Sequence, residues 1–324
     1  MRSAASASAP GFLEVIAPGP QSLLQDSGRR GQWHLGITSA GPMDRLSFDW
    51  ANRLAGNPPG LTALEVTFGG LRMVAHHSVQ LVVTGPQAPI TVNQRPASQW
   101  QLLALKPGDR IDIGYTREGC RLYVAVPGGF HATSAFGSSS TVVREGLGGL
   151  DGRPLLSGDR LKVANEHRHR SFFLPLELRP VYAPGDGAAL RVIPCLQARM
   201  LGRSWRRKFF AARYRVASES DRMGIRLEGE PLDHGIARLL SEAVTPGAIQ
   251  ITPDGQPIVM MRDHQTIGGY PKLGTLLSLD CDRLAQYPSG AEVCFIPITP
   301  GRALALLRQT KRRFETASPI ALAW

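Results

Sequence analysis

Apolar runs of five or six residues, each bounded by glycine, proline or a charged residue, recur along this chain. They begin with FLEVIA (12–17), ALEVTF (63–68), LRMVA (71–75), VQLVVT (79–84), WQLLAL (100–105), RIDIGY (110–115) and RLYVAV (121–126). RLKVA (160–164), LRVIP (190–194), AIQIT (248–252), PIVMM (257–261) and EVCFIP (292–297) continue the series. β-Branched content and turn-forming flanks predict strands, and strands this short and numerous predict a barrel or sandwich. Helical periodicity is confined to three places. Asp44 is placed to cap a helix in RLSFDWANRLAG, which stops at Gly56–Asn57. HGIARLLSEA (234–243) predicts a second helix. GRALALLRQTKRRFE (301–315) predicts a third, with apolar positions 303, 306 and 307 and a basic last turn that suits the helix dipole.

Two phrases recur in the same order. VVTGPQAPITV (82–92) returns as QITPDGQPIVM (250–260), and LKPGDRIDIG (105–114) returns as YPSGAEVCFI (287–296). The recurrence predicts an internal repeat of two similar β-rich domains. Between them lies a polar, proline-rich stretch that reads as a linker. The expected organisation is a disordered tail (1–11), a first domain (12–165), a linker (166–188) and a second domain (189–324) that carries the C-terminal helix.

Composition supports a folded chain: 43% of residues are hydrophobic and 19% charged. The net charge of +11 rests on 32 Arg and only five Lys. A nucleic-acid binder concentrates such charge on one face with aromatic platforms. Here it is scattered over GRR (28–30), RHR (168–170), RSWRRK (203–208) and RQTKRR (308–313). This reads as a solvated surface or a docking face for an acidic protein partner, and no nucleic acid is expected. Cys120, Cys195, Cys281 and Cys294 form no CxxC and no regular spacing, so neither a zinc site nor a disulfide framework is indicated. The start, MRSAASASAPGF, lacks the apolar core of a secretory leader. No run approaches the roughly 18 apolar residues of a membrane span. A cytoplasmic protein without membrane contact is expected.

Polar chemistry is densest in RDHQTIGGYPKLG (262–274), directly after an apolar strand candidate. Gly268 and Gly269 permit positive φ, so that successive N–H groups could converge on a carboxylate or phosphate. Lys272 supplies a cation, Asp263 a base or amide anchor, and Gln265 and Thr266 neutral hydrogen bonds. Tyr270, and Gln250 on the preceding strand candidate, join them as substrate-binding candidates. SESDRMGIRLEG (218–229) offers Arg222, whose planar fork either pairs with Asp221 or meets a carboxylate. The loop 23–44 gathers Gln25, Asp26 and Arg29 around glycines and Trp33. FGSSSTVVREGLGGLDG (136–152) adds Ser138 and Ser140. It is no nucleotide motif: GxxxxGK[ST] is absent, and Asp151 stands where GxGxxG needs its last glycine. GxSxG is absent too. The pairs HH (76–77) and HRH (167–169) lack a third ligand, so no metal is expected.

The phrases LQDSGRRGQWHLGI, GPMD, LEVTFGG, VTGPQAPI, GSSST, GRPLLSGDRL, SDRMGIRLEG, GAIQITPDGQPIVMMRDHQTIGGYP and LAQYPSG follow one another in that order. Together, over about residues 12–300, they resemble a carboxyltransferase family. Its members are the C subunit of 5-oxoprolinase, the KipA-type antagonist of a kinase inhibitor, and the matching part of urea amidolyase. One position departs from the pattern, Ser139 standing where relatives carry Arg. The resemblance implies a duplicated cyclophilin-like β-barrel. It also implies partners, a KipI-like B subunit and an A subunit, that complete the ATP-dependent opening of 5-oxoproline to glutamate. ATP is then expected mainly on a partner. In that reading Asp263 and Lys272 are the catalytic candidates, and Arg222 balances developing charge. Two alternatives stand beside it: a biotin-dependent urea or amide carboxyltransferase, with biotin arriving on another chain, and a non-catalytic module that binds a KipI-like inhibitor.

Overall fold

The computed structural model describes residues 11–164, 171–182, 189–200, 202–232 and 239–322. Residues 1–10 of the expected tail, parts of the expected linker and the first half of the helix expected at 234–243 lie outside the described residues.

The first half of the chain forms two antiparallel sheets. One runs in the order Arg160–Val163, Gly11–Pro18, Leu71–Ala75, Arg110–Ile113, Ile90–Val92, Arg95–Ala97. The other runs Gln21–Gln25, Ala63–Thr67, Arg121–Ala125, Val79–Thr84, Leu102–Leu105. Strand side chains alternate between faces, so Leu13, Val15, Met73 and Ile111 of one sheet meet Leu64, Val66, Leu81 and Val124 of the other in a shared core. The opposite face of the second sheet is covered by helix α1 (Arg45–Leu54), whose Phe48, Trp50 and Leu54 pack on Ala63, Val82 and Tyr123. Covered on both sides, Val79–Thr84 is buried at all its positions, Gln80 and Thr84 included.

The second half forms an eight-stranded sheet in the order Glu292–Val293, Tyr214–Val216, Gly224–Glu228, Pro257–Met260, Ala248–Ile251, Lys272–Leu276, Leu190–Pro194, Phe295–Pro297. Its two edges are consecutive pieces of one segment interrupted at Cys294, which brings the sheet close to barrel closure. Leu190–Pro194 and Phe295–Pro297 pair in parallel. After a short helix α2 (Gln197–Met200), helix α3 (Gly202–Ala211) plugs this barrel. Its Trp205 and Phe209, four residues apart, turn inward, and Phe209 stacks on Phe295 with ring centroids 5.0 Å apart. The cluster RSWRRK therefore belongs to an amphipathic helix, with Arg203, Arg207 and Lys208 on its wet side.

Two segments depart from the sequence expectation. Glu242 and Ala243, expected at the end of a helix, form a strand paired with Ile267–Gly268. Within the expected linker, Ser171–Phe173 pairs with Ile320–Leu322, and Leu174 is buried beside Trp100. Next comes a short helix α4 (Ser278–Leu284) in the second half. Helix α5 (Pro300–Thr316), expected as part of the second domain, ends on the first: Phe314 packs on Trp50 with centroids 4.7 Å apart. Arg53 donates to the carbonyls of Phe314 and Ala317, the latter at 2.6 Å. Apolar burial of Phe314 and Leu174 against α1 draws the C-terminal segment across both halves. Met43 from the first half in turn fills the core of the second.

Candidate functional site

Gln25, Asp26, Arg29, Ser138 and Ser140 come together as the sequence expects, in a knot at the end of Gln21–Gln25. Asp26 Oδ1 accepts from Gly28 N (2.8 Å), Ser138 Oγ (2.5 Å) and Ser140 Oγ (2.7 Å), while Oδ2 accepts from Ser139 N (2.7 Å). Burial alone would raise the Asp26 carboxyl, but these bonds outweigh it and hold it below its ordinary range. Gly28 has φ +88°, and a Cβ there would lie 2.8 Å from the Ser39 carbonyl oxygen, so glycine is required. Arg29 follows, buried, with Nη2 donating to Ser140 O (2.6 Å) and Nε to Ala135 O (3.1 Å). Gln25 Nε2 donates to Thr141 O (3.0 Å). Ser139 Oγ lies 2.6 Å from Thr62 Oγ1.

The second assembly crosses the two halves. Asp221 Oδ1 accepts the N–H groups of Met223 and Gly224, so it closes its own turn and leaves Arg222 free to reach elsewhere. Arg222 grips Asp263 with both arms, Nε to Oδ2 at 2.8 Å and Nη2 to Oδ1 at 2.9 Å. Its Nη1 donates to Glu65 Oε1 (2.5 Å) and Nη2 also to Gly41 O (2.8 Å), both in the first half. Glu65 Oε2 accepts from Met43 N and Tyr123 Oη, each at 2.8 Å. Tyr123 Oη accepts from Asp44 N (2.8 Å), and Asp44 caps α1 through Ser47 N (3.0 Å) while receiving Gln286 Nε2 (2.8 Å) from the second half. One guanidinium thus serves two carboxylates, Glu65 fully buried and Asp263 mostly so. Burial pushes both up, but Arg222 and Arg121, with the Met43 and Tyr123 donors, bring Glu65 below its ordinary value. Asp263 has only Arg222 to offset burial and stays above. Arg222 is held charged by its two partners against its own desolvation.

Arg222 and Asp263 face a cleft of about 710 Å3 between the halves, walled by Arg121 and Arg144 on one side and Ser218 and Tyr287 on the other. Lys272 does not line it. Its Nζ pairs with Glu242 Oε1 at 2.6 Å, at the far end of the loop that Asp263 begins. Gln250 pairs in register with Lys272 and is buried. The Thr266 carbonyl accepts from Val244 N (2.9 Å), and Tyr270 is exposed. Neither Gly268 nor Gly269 has positive φ, so the expected anion-binding nest is not formed. They are needed for room instead: a Cβ on Gly268 would come within 2.8 Å of Gln250 Nε2, and one on Gly269 within 3.1 Å of the Leu239 carbonyl. The dense run is therefore split, with Asp263 at the cleft and Lys272 with Gln250 behind it.

Sequence reasoning passed over Glu65, Tyr123 and Gln286. Glu65 carried a signal, an acid inside the apolar run ALEVTF. Gln286 carried none.

Asp282, paired with Arg262 at 2.9 Å, is pushed up to about 7, first by burial and then by Asp44 and Asp49, against the pull of Arg262. A folded value above the ordinary 3.8 favours folding at low pH, and that contribution is lost as pH rises from 3.8 to about 7. Asp282→Asn is expected to flatten the fall in thermal midpoint between about pH 5 and 8. The slope is the measurement, because the variant also loses its charged contact with Arg262; an unchanged slope would assign the titration to another group.

Two barrels, a closing helix and a shared charged seam define a duplicated carboxyltransferase-type module, and residues 35–297 match the family described as carboxyltransferase domain, subdomain A and B. The chain belongs to that family. It is 33% identical to the C subunit of 5-oxoprolinase from Escherichia coli (strain K12), over 97% of this chain and 98% of that one. It is 27% identical to urea amidolyase of Saccharomyces cerevisiae, over 90% of this chain and 17% of that one. It superposes on the crystal structure of the Kluyveromyces lactis urea carboxylase with a TM-score of 0.87 at 26% identity, covering 97% of this chain and 30% of that one.

Proposed function

We propose that this chain is the C subunit of an ATP-dependent 5-oxoprolinase that hydrolyses 5-oxo-L-proline to L-glutamate together with the A and B subunits in the cytoplasm. The observation that carries the reading is the end-to-end correspondence with the Escherichia coli 5-oxoprolinase C subunit, 98% of whose length is matched. The cleft suits a small polar amide. Asp263 offers a carboxylate above its ordinary pKa, and Arg222 holds that carboxylate in place while countering charge that develops beside it. ATP belongs mainly to a partner, since the sequence has no phosphate-cradling loop with its lysine.

The likeness to the urea carboxylase structure favours a second reading, a carboxyltransferase component that acts on urea or a related amide. Biotin would then arrive on another chain and supply the carboxyl group, with Arg222 and Asp263 offering its ureido ring donors and acceptors in the cleft.

Purified chain combined with the A and B subunits should show ATP hydrolysis that depends on 5-oxoproline and on all three proteins. Carboxylation of urea with a biotin carrier, and no lactam-dependent hydrolysis, would replace this reading with the second. Tight binding to the B subunit without turnover would instead leave a KipA-like binding module.

A further inference from the structure

The cleft holds a cation that no carboxylate clamps. Among the described residues three cations, Arg121, Arg144 and Arg222, and two anions, Asp221 and Asp263, line it. Arg222 is taken by Glu65 and Asp263. Arg144 pairs with Glu145 at 3.0 Å and reaches across to Met223 Sδ at 3.3 Å. Asp221 spends Oδ1 on its own turn. Arg121 has no carboxylate within ion-pair distance among the described residues and acts on Glu65 only from farther off. Its Nη1 donates to Thr67 Oγ1, and its Nε is buried without a hydrogen-bond partner among the described residues. Its backbone is fixed by the second half: Gln286 Oε1 accepts from Arg121 N (2.8 Å) and Gln286 Nε2 donates to Arg121 O (3.0 Å).

Register fixes where this cation stands. Arg121 pairs with Thr67 and Tyr123 with Glu65, so all four share one face of the sheet. Side chains two residues apart on a strand are about 7 Å apart. Tyr123 Oη and Arg222 Nη1 both meet Glu65, and Arg222 clamps Asp263. Arg121 therefore stands along the same wall, one side-chain place from the Glu65–Arg222–Asp263 chain. Phe68 adjoins it at φ +60°, followed by Gly69 (+103°) and Gly70 (+75°). A left-handed backbone is costly for a residue with a side chain and persists where the surroundings fix it. Here Phe68 N donates to Cys120 O (2.7 Å), and Phe68 is left 40% exposed at the cleft.

A cation without a counter-ion, an aromatic side chain and a carboxylate–guanidinium pair suit one chemistry, a small cyclic amide that carries its own carboxylate. We propose that Arg121 is the carboxylate anchor of this cleft, taking the acid group of the ligand while Asp263 and Arg222 meet its amide and Phe68 covers its ring. This deepens the 5-oxoprolinase reading, on which it rests for the choice of ligand. It makes Arg121 a specificity-determining residue that urea, having no carboxylate, would not use.

The test compares 5-oxo-L-proline with 2-pyrrolidinone, the same lactam without its carboxylate. Both are titrated by calorimetry into the full-length chain assembled with the A and B subunits. The acid should bind the unaltered assembly at least about tenfold more tightly than the neutral lactam, the effect of one charge-assisted hydrogen bond. Arg121→Gln should pull that ratio towards one by weakening the acid alone. Arg121→Lys, a charge without the planar fork, should keep part of it. A purely structural role, through Thr67 or Glu65, would weaken both ligands alike and leave the ratio unchanged, and that result overturns the anchor. So does a ratio near one in the unaltered assembly, which needs no variant, and so does the absence of binding by either ligand. Carboxylate-selective binding that depends on Arg121, without 5-oxoproline-dependent ATP hydrolysis, keeps the anchor and removes the 5-oxoprolinase reading. Hydrolysis that depends on 5-oxoproline with a KM untouched by Arg121→Gln keeps that reading and removes the anchor.

Discussion

Arg222→Met should lower the stability of the protein by about 3–5 kcal/mol, the cost of breaking a buried ion pair from one side. The side chain is 5% exposed and is the cation shared by Glu65 and Asp263 across the two halves. Without it Glu65 keeps the Met43 and Tyr123 donors, whereas Asp263 loses both arms of its clamp. Both carboxyls would then sit above their unfolded values. That penalty is full above the raised folded values and is relieved as pH falls towards the unfolded ones. The gap in thermal midpoint between the unaltered and variant proteins should therefore narrow on acidification from about pH 8 to 5. Arg222→Lys keeps the charge but not the fork and should recover only part of the loss. A change under about 1 kcal/mol would mean that apolar contacts such as Met43 in the second core, and not this network, hold the halves together.

The strands were legible because alternation and punctuation are local. Leu13 and Val15 announce one buried face, and Val79–Thr84 announces burial on two. The recurrence of 82–92 at 250–260 was enough to expect a second barrel. Helix α3 was hidden by its charge: RSWRRK drew attention to arginine, while the spacing of Trp205 and Phe209, which decides the helix, was present but not used. The site was legible as a set of residues and not as an arrangement. Asp26 with Ser138 and Ser140, and Arg222 with Asp263, are separated by 112, 114 and 41 residues, and no local pattern encodes such pairings. The glycines at 268 and 269 show the same limit. Sequence says that a side chain is missing there; only the neighbours Gln250 and Leu239 say that the reason is space and not backbone handedness. No local pattern marks His264 as buried, because its burial is a property of the packed halves.

Asp263→Asn is expected to reduce 5-oxoproline-dependent ATP hydrolysis, in the presence of the A and B subunits, at least about a hundredfold. The shape is kept, so Arg222 retains Glu65 and one of its two bonds to residue 263. The other arm meets an amide N–H in place of an oxygen, and the loss of folding stability should stay near 1–2 kcal/mol. What disappears is a carboxylate that faces the cleft with a pKa above its ordinary value. Its rate-limiting limb in a pH profile should rise with pH above the usual carboxylate range in the unaltered enzyme and vanish in the variant. Lys272→Met provides the contrast, because Lys272 answers Glu242 at 2.6 Å and does not line the cleft. It should cost less than about tenfold, in keeping with an exposed-edge ion pair and not with a group that meets the reacting atoms. If the two variants lost activity equally and shared one pH profile, the chemistry would lie at the outer end of the hairpin, with Gln250 and Lys272, and the seam would be a hinge of structural charges alone.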